Sequence, residues 1–394
     1  MEQKSNRLYF IDAMRAWAIL MMLQGHFVDS LLDPVFRDST STAFNVWSYF
    51  RGITAPVFFT VSGFIFTYLL IRVPQQGLEN PRVNKGLRRG LQLLLIGYLL
   101  RLNLFGLLQG EVYGSFYLVD VLHCIGLSIL GVIGVYLLTA KKRPWVFPAT
   151  LLGITLVLFM LEPAYKQWSY PLMPDIIENY FTKVNGSVFT IVPWFGYASF
   201  GAFLSILFTR FKDARYLYPV AIGASLLSGA ALVYLSSPLF AGLAQWSGIS
   251  LFQDIFNNNY LFIRLGNVMV VFAIFMVLRR FLTHSTLLKL GQNTLSIYVI
   301  HFVVLYGSLT GLGLYYYLNH TLAPAVVVPG AIAFMFVCSY SALQYDLYES
   351  QIKGRFADMG NQLRGQAEPL LDELQRYAKL LGSRLLRILR LVKS

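Results

Sequence analysis

Ten long apolar stretches follow one another along the first 343 residues of the chain, and short polar segments separate them. Each stretch spans roughly 20 residues, the length that a helix needs to cross the hydrocarbon core of a bilayer. The pattern therefore predicts an all-α, polytopic membrane protein with about ten transmembrane helices. The predicted spans lie near residues 9–29, 52–71, 90–108, 118–139, 145–162, 188–208, 217–235, 261–278, 294–312 and 323–343.

The last segment of the chain, residues 344–394, has a different pattern. Apolar side chains recur there at every third or fourth position, and basic residues lie between them, which is typical of an amphipathic helix. We expect a cytoplasmic helix that lies on the anionic inner leaflet; the rival interpretation is a coiled-coil contact between subunits of a homo-oligomer. The sequence thus divides into a transmembrane domain, 1–343, and a basic tail, 344–394.

The composition of the 394 residues agrees with a membrane protein. Hydrophobic residues make up 56% and charged residues only 13% of the chain, against roughly 25% charged residues in soluble domains. The mean hydropathy is +0.57. These values exclude a cytosolic enzyme, a secreted disulfide-rich module and a disordered regulator.

The charge distribution orients the predicted spans. The chain has 32 Lys and Arg against 19 Asp and Glu, a net charge of +13. With the N-terminus in the cytoplasm, most basic residues outside the tail fall on cytoplasmic segments, as the positive-inside rule requires. The pattern predicts that both termini are cytoplasmic, and it explains the basic charge without a nucleic-acid partner.

Ionisable residues inside membrane spans are costly and often functional, and the first predicted span carries several. Asp12 and Arg15 are three residues apart and share one helical face near the inner end. His26 follows Arg15 by eleven residues, about three helical turns, so it lies on the same side roughly 16 Å nearer the outside. Asp29 is placed to hydrogen-bond the His26 ring.

A second group of polar residues is predicted at about the depth of His26. Asp120 and His123 share one face of the fourth span, and Arg101 and Arg264 lie on spans that reach the same layer. His301, in contrast, is predicted in the inner half of its span. Because imidazole takes a proton readily near pH 7, these residues fit either a proton relay in a transporter or general-base catalysis.

Two segments resemble a known group of membrane enzymes. The run Ile11–Leu20, with ten residues between Arg15 and His26, is similar to the first-span signature of the transmembrane acyltransferases, in which an Arg or Lys precedes a functional His at this spacing. The run Phe58–Phe64 is similar to the Phe-Phe-x-x-Ser-Gly-Phe element of the same superfamily.

Three further elements resemble the heparan-alpha-glucosaminide N-acetyltransferase-like branch: Leu122–Gly126, Pro193–Tyr197 and the run from Gly291 to His301. Two features depart from that branch. His123 and Cys124 stand where the branch often has Gln and Arg. The loop 30–50 lacks the histidine that heparan-type enzymes carry there, and His26 occupies the position used by polysaccharide O-acyltransferases. The acceptor group, a sugar amine or a sugar hydroxyl, therefore stays open.

The resemblance implies an acetyl-CoA-dependent O- or N-acetyltransferase that moves an acetyl group from cytosolic acetyl-CoA to a glycan or amino sugar outside, and we expect no metal. Because the sequence has no large luminal domain, we expect a bacterial inner membrane. The alternative is a proton-coupled transporter or a lipid or glycan flippase with a histidine relay. The expected residues are His26 as general base with Arg15, Asp12, His123 and Asp120 for catalysis; Arg15, Ser62, Arg88 and Arg89 for the donor; and Arg101, Trp194, Arg264 and His301 for the acceptor.

Overall fold

The computed structural model describes residues 8–168, 170 and 172–388. Within these residues the regular structure is helical, and the only β-type pairing consists of two isolated bridges. The predicted all-α class is confirmed. The chain separates into two compact units, and their boundary lies between Ser341 and Ala342.

The helices vary widely in length, and short turns connect many of them. Single 3-10 turns occur at Pro34–Phe36, Gly77–Glu79 and Gly114–Tyr117, and a π turn at Ala231–Leu235 joins two helices. In chain order the helices are α1 (Tyr9–Leu31), α2 (Thr42–Ile71), α3 (Pro81–Arg101), α4 (Leu104–Leu108), α5 (Val121–Thr139), α6 (Val146–Met160), α7 (Glu162–Tyr165), α8 (Asp175–Glu178), α9 (Ile191–Arg210), α10 (Leu217–Ala230), α11 (Ser236–Ser247), α12 (Ser250–Asn257), α13 (Tyr260–Leu278), α14 (Ser285–Gln292), α15 (Thr294–Tyr306), α16 (Leu314–Leu318) and α17 (Pro324–Ile388).

Six helical segments of the described residues are long and apolar enough to cross a bilayer, and the bent pair α14–α15 makes a seventh if it forms one span. The protein is therefore an integral membrane protein. The ten-span count stays a prediction, because α1 and α3 carry several ionisable residues and α6 has only 15 residues. The six segments are Thr42–Ile71, Gly114–Thr139, Ile191–Arg210, Leu217–Ser247, Tyr260–Leu278 and Pro324–Arg355.

The tail begins as a continuation of α17, whose backbone is helical to Ile388. The side chains of the apolar stripe predicted on this tail lie outside the part of the chain whose side chains the structure describes. Its amphipathic character and its place on a membrane surface therefore stay predictions.

The helix α1 is buried although it carries ionisable residues. The side chains of Ile11, Met14, Ile19 and Leu23 have no exposed surface, and α2, α13, α14 and α15 all pack against this helix. Burial on several sides means that its polar side chains must find partners within the protein.

Glycines bring two helix pairs into backbone contact. A Cβ atom on Gly63 of α2 would lie 1.9 Å from the carbonyl oxygen of Ala198 on α9, and one on Gly201 would lie 1.8 Å from the carbonyl oxygen of Thr60. On α14, a Cβ atom on Gly291 would lie 1.9 Å from the carbonyl oxygen of Asp12. Such small residues allow the close approach that packing within a membrane depends on.

A sharp break between α14 and α15 sets the course of the ninth predicted span. The two helices are bent by 71° where they meet, at Asn293. Because α14 is held against α1 at Gly291, α15 begins at Thr294, the predicted first residue of the span, but beside Arg15 rather than at the end of α1. The bend thus affects where along α1 the residues of α15 make contact.

We expect Gly63→Ala to destabilise the bundle, because the added methyl group would overlap the α9 backbone. Overpacking of this kind costs about 1–3 kcal/mol or more. The matched control is Gly153→Ala on α6, where an added Cβ meets nothing within 4 Å and the better helix propensity of alanine favours folding. Thermal unfolding midpoints in detergent test this: a Gly63→Ala midpoint equal to that of Gly153→Ala would contradict the packing account.

Candidate active site

A polar cavity of about 590 Å³ lies among α1, α2, α3, the start of α5 and the end of α15. Its volume is in the range of small-molecule binding sites. The aromatic rings of Phe189, Phe302, Tyr306 and Tyr315 form part of its wall. Its ionisable lining residues are His26, Asp29, Arg51, Arg101 and Asp120.

His26, on the cavity wall, pairs with a second histidine. The Nδ1 atom of His26 lies 3.0 Å from Nε2 of His301, which is hydrogen-bond distance. His301 is fully buried and does not line the cavity. The expectation that His301 lies in a different half of the bundle from His26 is wrong, because α15 begins beside Arg15 and not at the end of α1.

Two ion pairs line the cavity beside His26. On one side the Asp29 carboxylate pairs with the guanidinium of Arg51, which joins α1 to α2. The expected contact from Asp29 to the His26 ring is therefore replaced by a contact to Arg51. On the other side Arg101 Nη2 lies 3.0 Å from Asp120 Oδ2. Each guanidinium thus has a carboxylate partner within the cavity wall.

The N-terminus of α5 fixes Asp120 and His123 relative to each other. The Asp120 carboxylate accepts a hydrogen bond from Val121 N, and the Asp120 N–H donates to Nδ1 of His123. This capping box satisfies donors that would otherwise be unpaired at the helix start. His123 is fully buried against Tyr98 and does not line the cavity.

A second polar group lies in the N-terminal half of α1. Arg15 and Asp12 form an ion pair at 3.8 Å, as their spacing predicted. Arg15 Nη2 also donates to Thr294 Oγ1 at 3.1 Å, so the guanidinium ties α1 to the start of α15. Two contacts between these helices, at Arg15 and at His26, are therefore separated by eleven residues along α1.

Residues 7–237 match the family model described as "Heparan-alpha-glucosaminide N-acetyltransferase, catalytic". The match covers more than half of the 394 residues. The chain belongs to this family. The resemblance found in the sequence is confirmed, and the protein is a membrane enzyme of the transferase class. No curated protein gives a significant match.

The region matched to the heparan-alpha-glucosaminide N-acetyltransferase family carries most of the cavity. It includes His26 and both ion pairs, whereas Thr294 and His301 lie beyond its end at residue 237. Among the described residues, no group of three or more His, Cys, Asp or Glu side chains is arranged to hold a metal ion.

Three of the other predicted residues lie away from the cavity. Ser62 donates to the Phe58 carbonyl and lines a small void between α2, α5 and α9. Arg88 and Arg89 are exposed on the first half of α3. The geometry therefore does not bring these donor-side residues together with His26.

Two further predicted residues lie close behind the cavity wall. Trp194 packs on Phe189 with ring centroids 4.8 Å apart, and Phe189, rather than Trp194, faces the cavity. The Arg264 guanidinium lies over the Tyr260 ring and against Gly52, next to the cavity residue Arg51.

The sequence reasoning missed Arg51 as a site residue. Arg51 falls just outside the second apolar stretch, which begins at residue 52, whereas α2 already begins at Thr42. One signal was present: basic residues are scarce on the predicted outer segments, so Arg51 was an exception to the positive-inside pattern.

We expect the ion pair between Arg101 and Asp120 to contribute to stability, because both side chains are mostly buried, at 13% and 12% exposed. A double-mutant cycle with Arg101→Gln and Asp120→Asn should give a coupling free energy of about 1–3 kcal/mol. The control cycle uses the exposed pair Glu349 and Lys353, where about 0.3–0.5 kcal/mol is typical. The free energies of unfolding are measured in detergent. Equal coupling free energies in the two cycles would contradict a stabilising role for the buried pair.

Proposed function

We propose that this member of the family transfers an acetyl group from cytosolic acetyl-CoA to a glycan or amino sugar on the extracytoplasmic side. The observation that carries the proposal is His26, an imidazole on the wall of a polar cavity within the matched catalytic region. A cavity of about 590 Å³ has room for a sugar ring, and carboxylates, guanidinium groups and aromatic rings on its wall are the groups that bind sugars.

The topology that this function requires has ten spans with both termini in the cytoplasm. We propose that α1, α3 and α6 cross the membrane in addition to the more apolar helices, since each overlaps a predicted span. The tail would then lie on the cytoplasmic leaflet. A bacterial inner membrane is the location that we propose for the protein.

In the proposed reaction, His26 acts as general base. The acceptor oxygen or nitrogen attacks the thioester carbonyl carbon while the His26 imidazole takes the proton from that atom. The C–S bond then breaks, and the CoA thiolate leaves and takes up the proton from His26. The products are the acetylated acceptor and free CoA.

On the donor side, Arg15 is the residue that we propose for the phosphate groups of acetyl-CoA. Its side chain is partly exposed, and a guanidinium group binds phosphate oxygens in a bidentate manner. Arg88 and Arg89 would add positive charge at the cytoplasmic face. Ser62, beside the close contact of α2 and α9, would lie near the path of the thioester.

On the acceptor side, Asp120 and Arg101 are the residues best placed to hold sugar hydroxyl groups, because both line the cavity with His26. His123 would act on the site only through Asp120, whose N–H it accepts. Arg264 and Trp194 do not line the cavity. Arg264 would support Arg51, and Trp194 would support Phe189.

We expect His26→Ala to lower kcat for acetyl transfer by about 10²–10⁴-fold, the usual effect of losing a general base. The assay follows label from radiolabelled acetyl-CoA to glucosamine, as an amine acceptor, and to dextran, as a hydroxyl acceptor. The control is His284→Ala, which removes an exposed histidine at the start of α14. Wild-type protein that labels neither acceptor and does not bind acetyl-CoA would contradict the function. A proton-coupled transport assay would then test the alternative.

We expect Arg15→Ala to raise the KM for acetyl-CoA by about 10–100-fold, because a charge-assisted hydrogen bond contributes about 1.5–3 kcal/mol. Arg15→Lys keeps the charge and should fall between wild type and Arg15→Ala. The control, Arg143→Ala, removes an exposed basic residue on a predicted cytoplasmic segment. An unchanged KM in a folded Arg15→Ala variant would place the phosphate site elsewhere.

A further inference from the structure

The two histidines of the pair have different surroundings. His26 lines the cavity, whereas His301 has no exposed surface and does not line it. Tyr298 and Phe302 pack against the His301 ring, with ring centroids 4.8 Å and 5.8 Å away. A molecule in the cavity can therefore touch His26, and His301 can influence that molecule only through His26.

The distance between the rings shows that they share one hydrogen bond. With His26 Nδ1 and His301 Nε2 3.0 Å apart, one of these two nitrogens must carry a hydrogen and the other must accept it. The other His301 nitrogen, Nδ1, is buried and has no hydrogen-bond partner among the described residues, so the contact to His26 is the hydrogen bond that the His301 ring makes there. The proposed role of His26 assigns the shared hydrogen: a general base needs an unprotonated nitrogen that His301 does not engage, so the hydrogen of His26 is on Nδ1 and the hydrogen of His301 is on its own Nδ1.

This proton arrangement leaves one nitrogen available for chemistry. With the His301 proton on Nδ1, its Nε2 is the acceptor, and the shared hydrogen belongs to Nδ1 of His26. The lone pair of His26 is then on Nε2, which is the nitrogen that His301 does not engage. If His301 instead donated its Nε2–H to Nδ1 of His26, the hydrogen of neutral His26 would be on Nε2, and Nε2 could not take a proton from the acceptor.

We propose that His301 is a positioning residue, whose Nε2 accepts the Nδ1–H of His26 and thereby keeps Nε2 of His26 unprotonated and directed to the acceptor. This inference rests on the acetyl transfer proposed above. When Nε2 of His26 takes the acceptor proton, the imidazolium keeps its hydrogen bond to His301, and that bond becomes charge-assisted and stronger. The arrangement follows a general pattern in which a third group orients a catalytic base.

Three variants of His301 separate positioning from packing. His301→Gln carries its amide oxygen close to the place of the far ring nitrogen, Nε2, so it can accept from His26. His301→Asn is shorter and carries its amide near the place of Nδ1, away from His26. His301→Leu fills the site without an acceptor.

The activity test uses full-length protein in nanodiscs with radiolabelled acetyl-CoA, glucosamine and dextran. We expect His301→Leu and His301→Asn to lose about 10–100-fold in kcat, as orienting groups commonly do, with the KM for acetyl-CoA within about twofold of wild type. His301→Gln should recover most of the lost kcat. Equal kcat in folded Gln and Asn variants, or wild-type kcat in His301→Leu, would overturn the proposal. If His301→Leu fails to fold, the comparison of kcat between His301→Gln and His301→Asn still tests the proposal.

A spectroscopic measurement tests the tautomer without relying on activity. Solid-state NMR of protein labelled with ¹⁵N in its five histidines should show His26, assigned by its loss in His26→Ala, as the Nδ1–H tautomer. The His301→Leu variant should shift this signal. A wild-type signal from the Nε2–H tautomer of His26 would overturn the inference. Inactive wild-type protein with the expected signal would instead refute the proposed function alone.

Discussion

The structure depends on one constraint: the ionisable residues of α1 are buried or half-buried in an apolar bundle and must be paired there. Unpaired polar groups in such surroundings cost several kcal/mol each. Arg15 meets this constraint through Asp12 and Thr294, His26 through His301, and Asp29 through Arg51. Thr294 and His301 lie on α15, and Arg51 lies on α2. The pairings therefore also fix how these two helices lie against α1.

The same pairings produce the cavity. Asp29 and Arg51 keep their charged ends at its wall, and Arg101 and Asp120 do so from α3 and the start of α5. Polar groups that pair at the cavity wall remain available to a ligand, whereas fully buried ones such as His301 and His123 act only through a neighbour. The family match supports a catalytic role for this cavity, since most of the residues that line the cavity lie within the matched catalytic region.

Local periodicity predicted much of this arrangement. Each of the ten apolar stretches overlaps a helix, and the spacing of Asp12, Arg15 and His26 placed all three on α1 because helix geometry alone sets that relation. The contact of His301 with His26 was not predictable in this way, since it depends on the 71° bend at Asn293. Arg51 was missed because α2 extends beyond its apolar stretch, and a helix end outside the apolar core leaves little hydropathy signal.

In the proposed function, α1 would join a donor site at its cytoplasmic end to an acceptor cavity at its other end, so that the acetyl group crosses the membrane. Proteoliposomes of known orientation test it, with radiolabelled acetyl-CoA on the side of the N-terminus and glucosamine and dextran enclosed on the other side. The account predicts label on an enclosed acceptor, and none when acetyl-CoA is supplied only on the opposite side. Transfer only when donor and acceptor share one side of the membrane would contradict it.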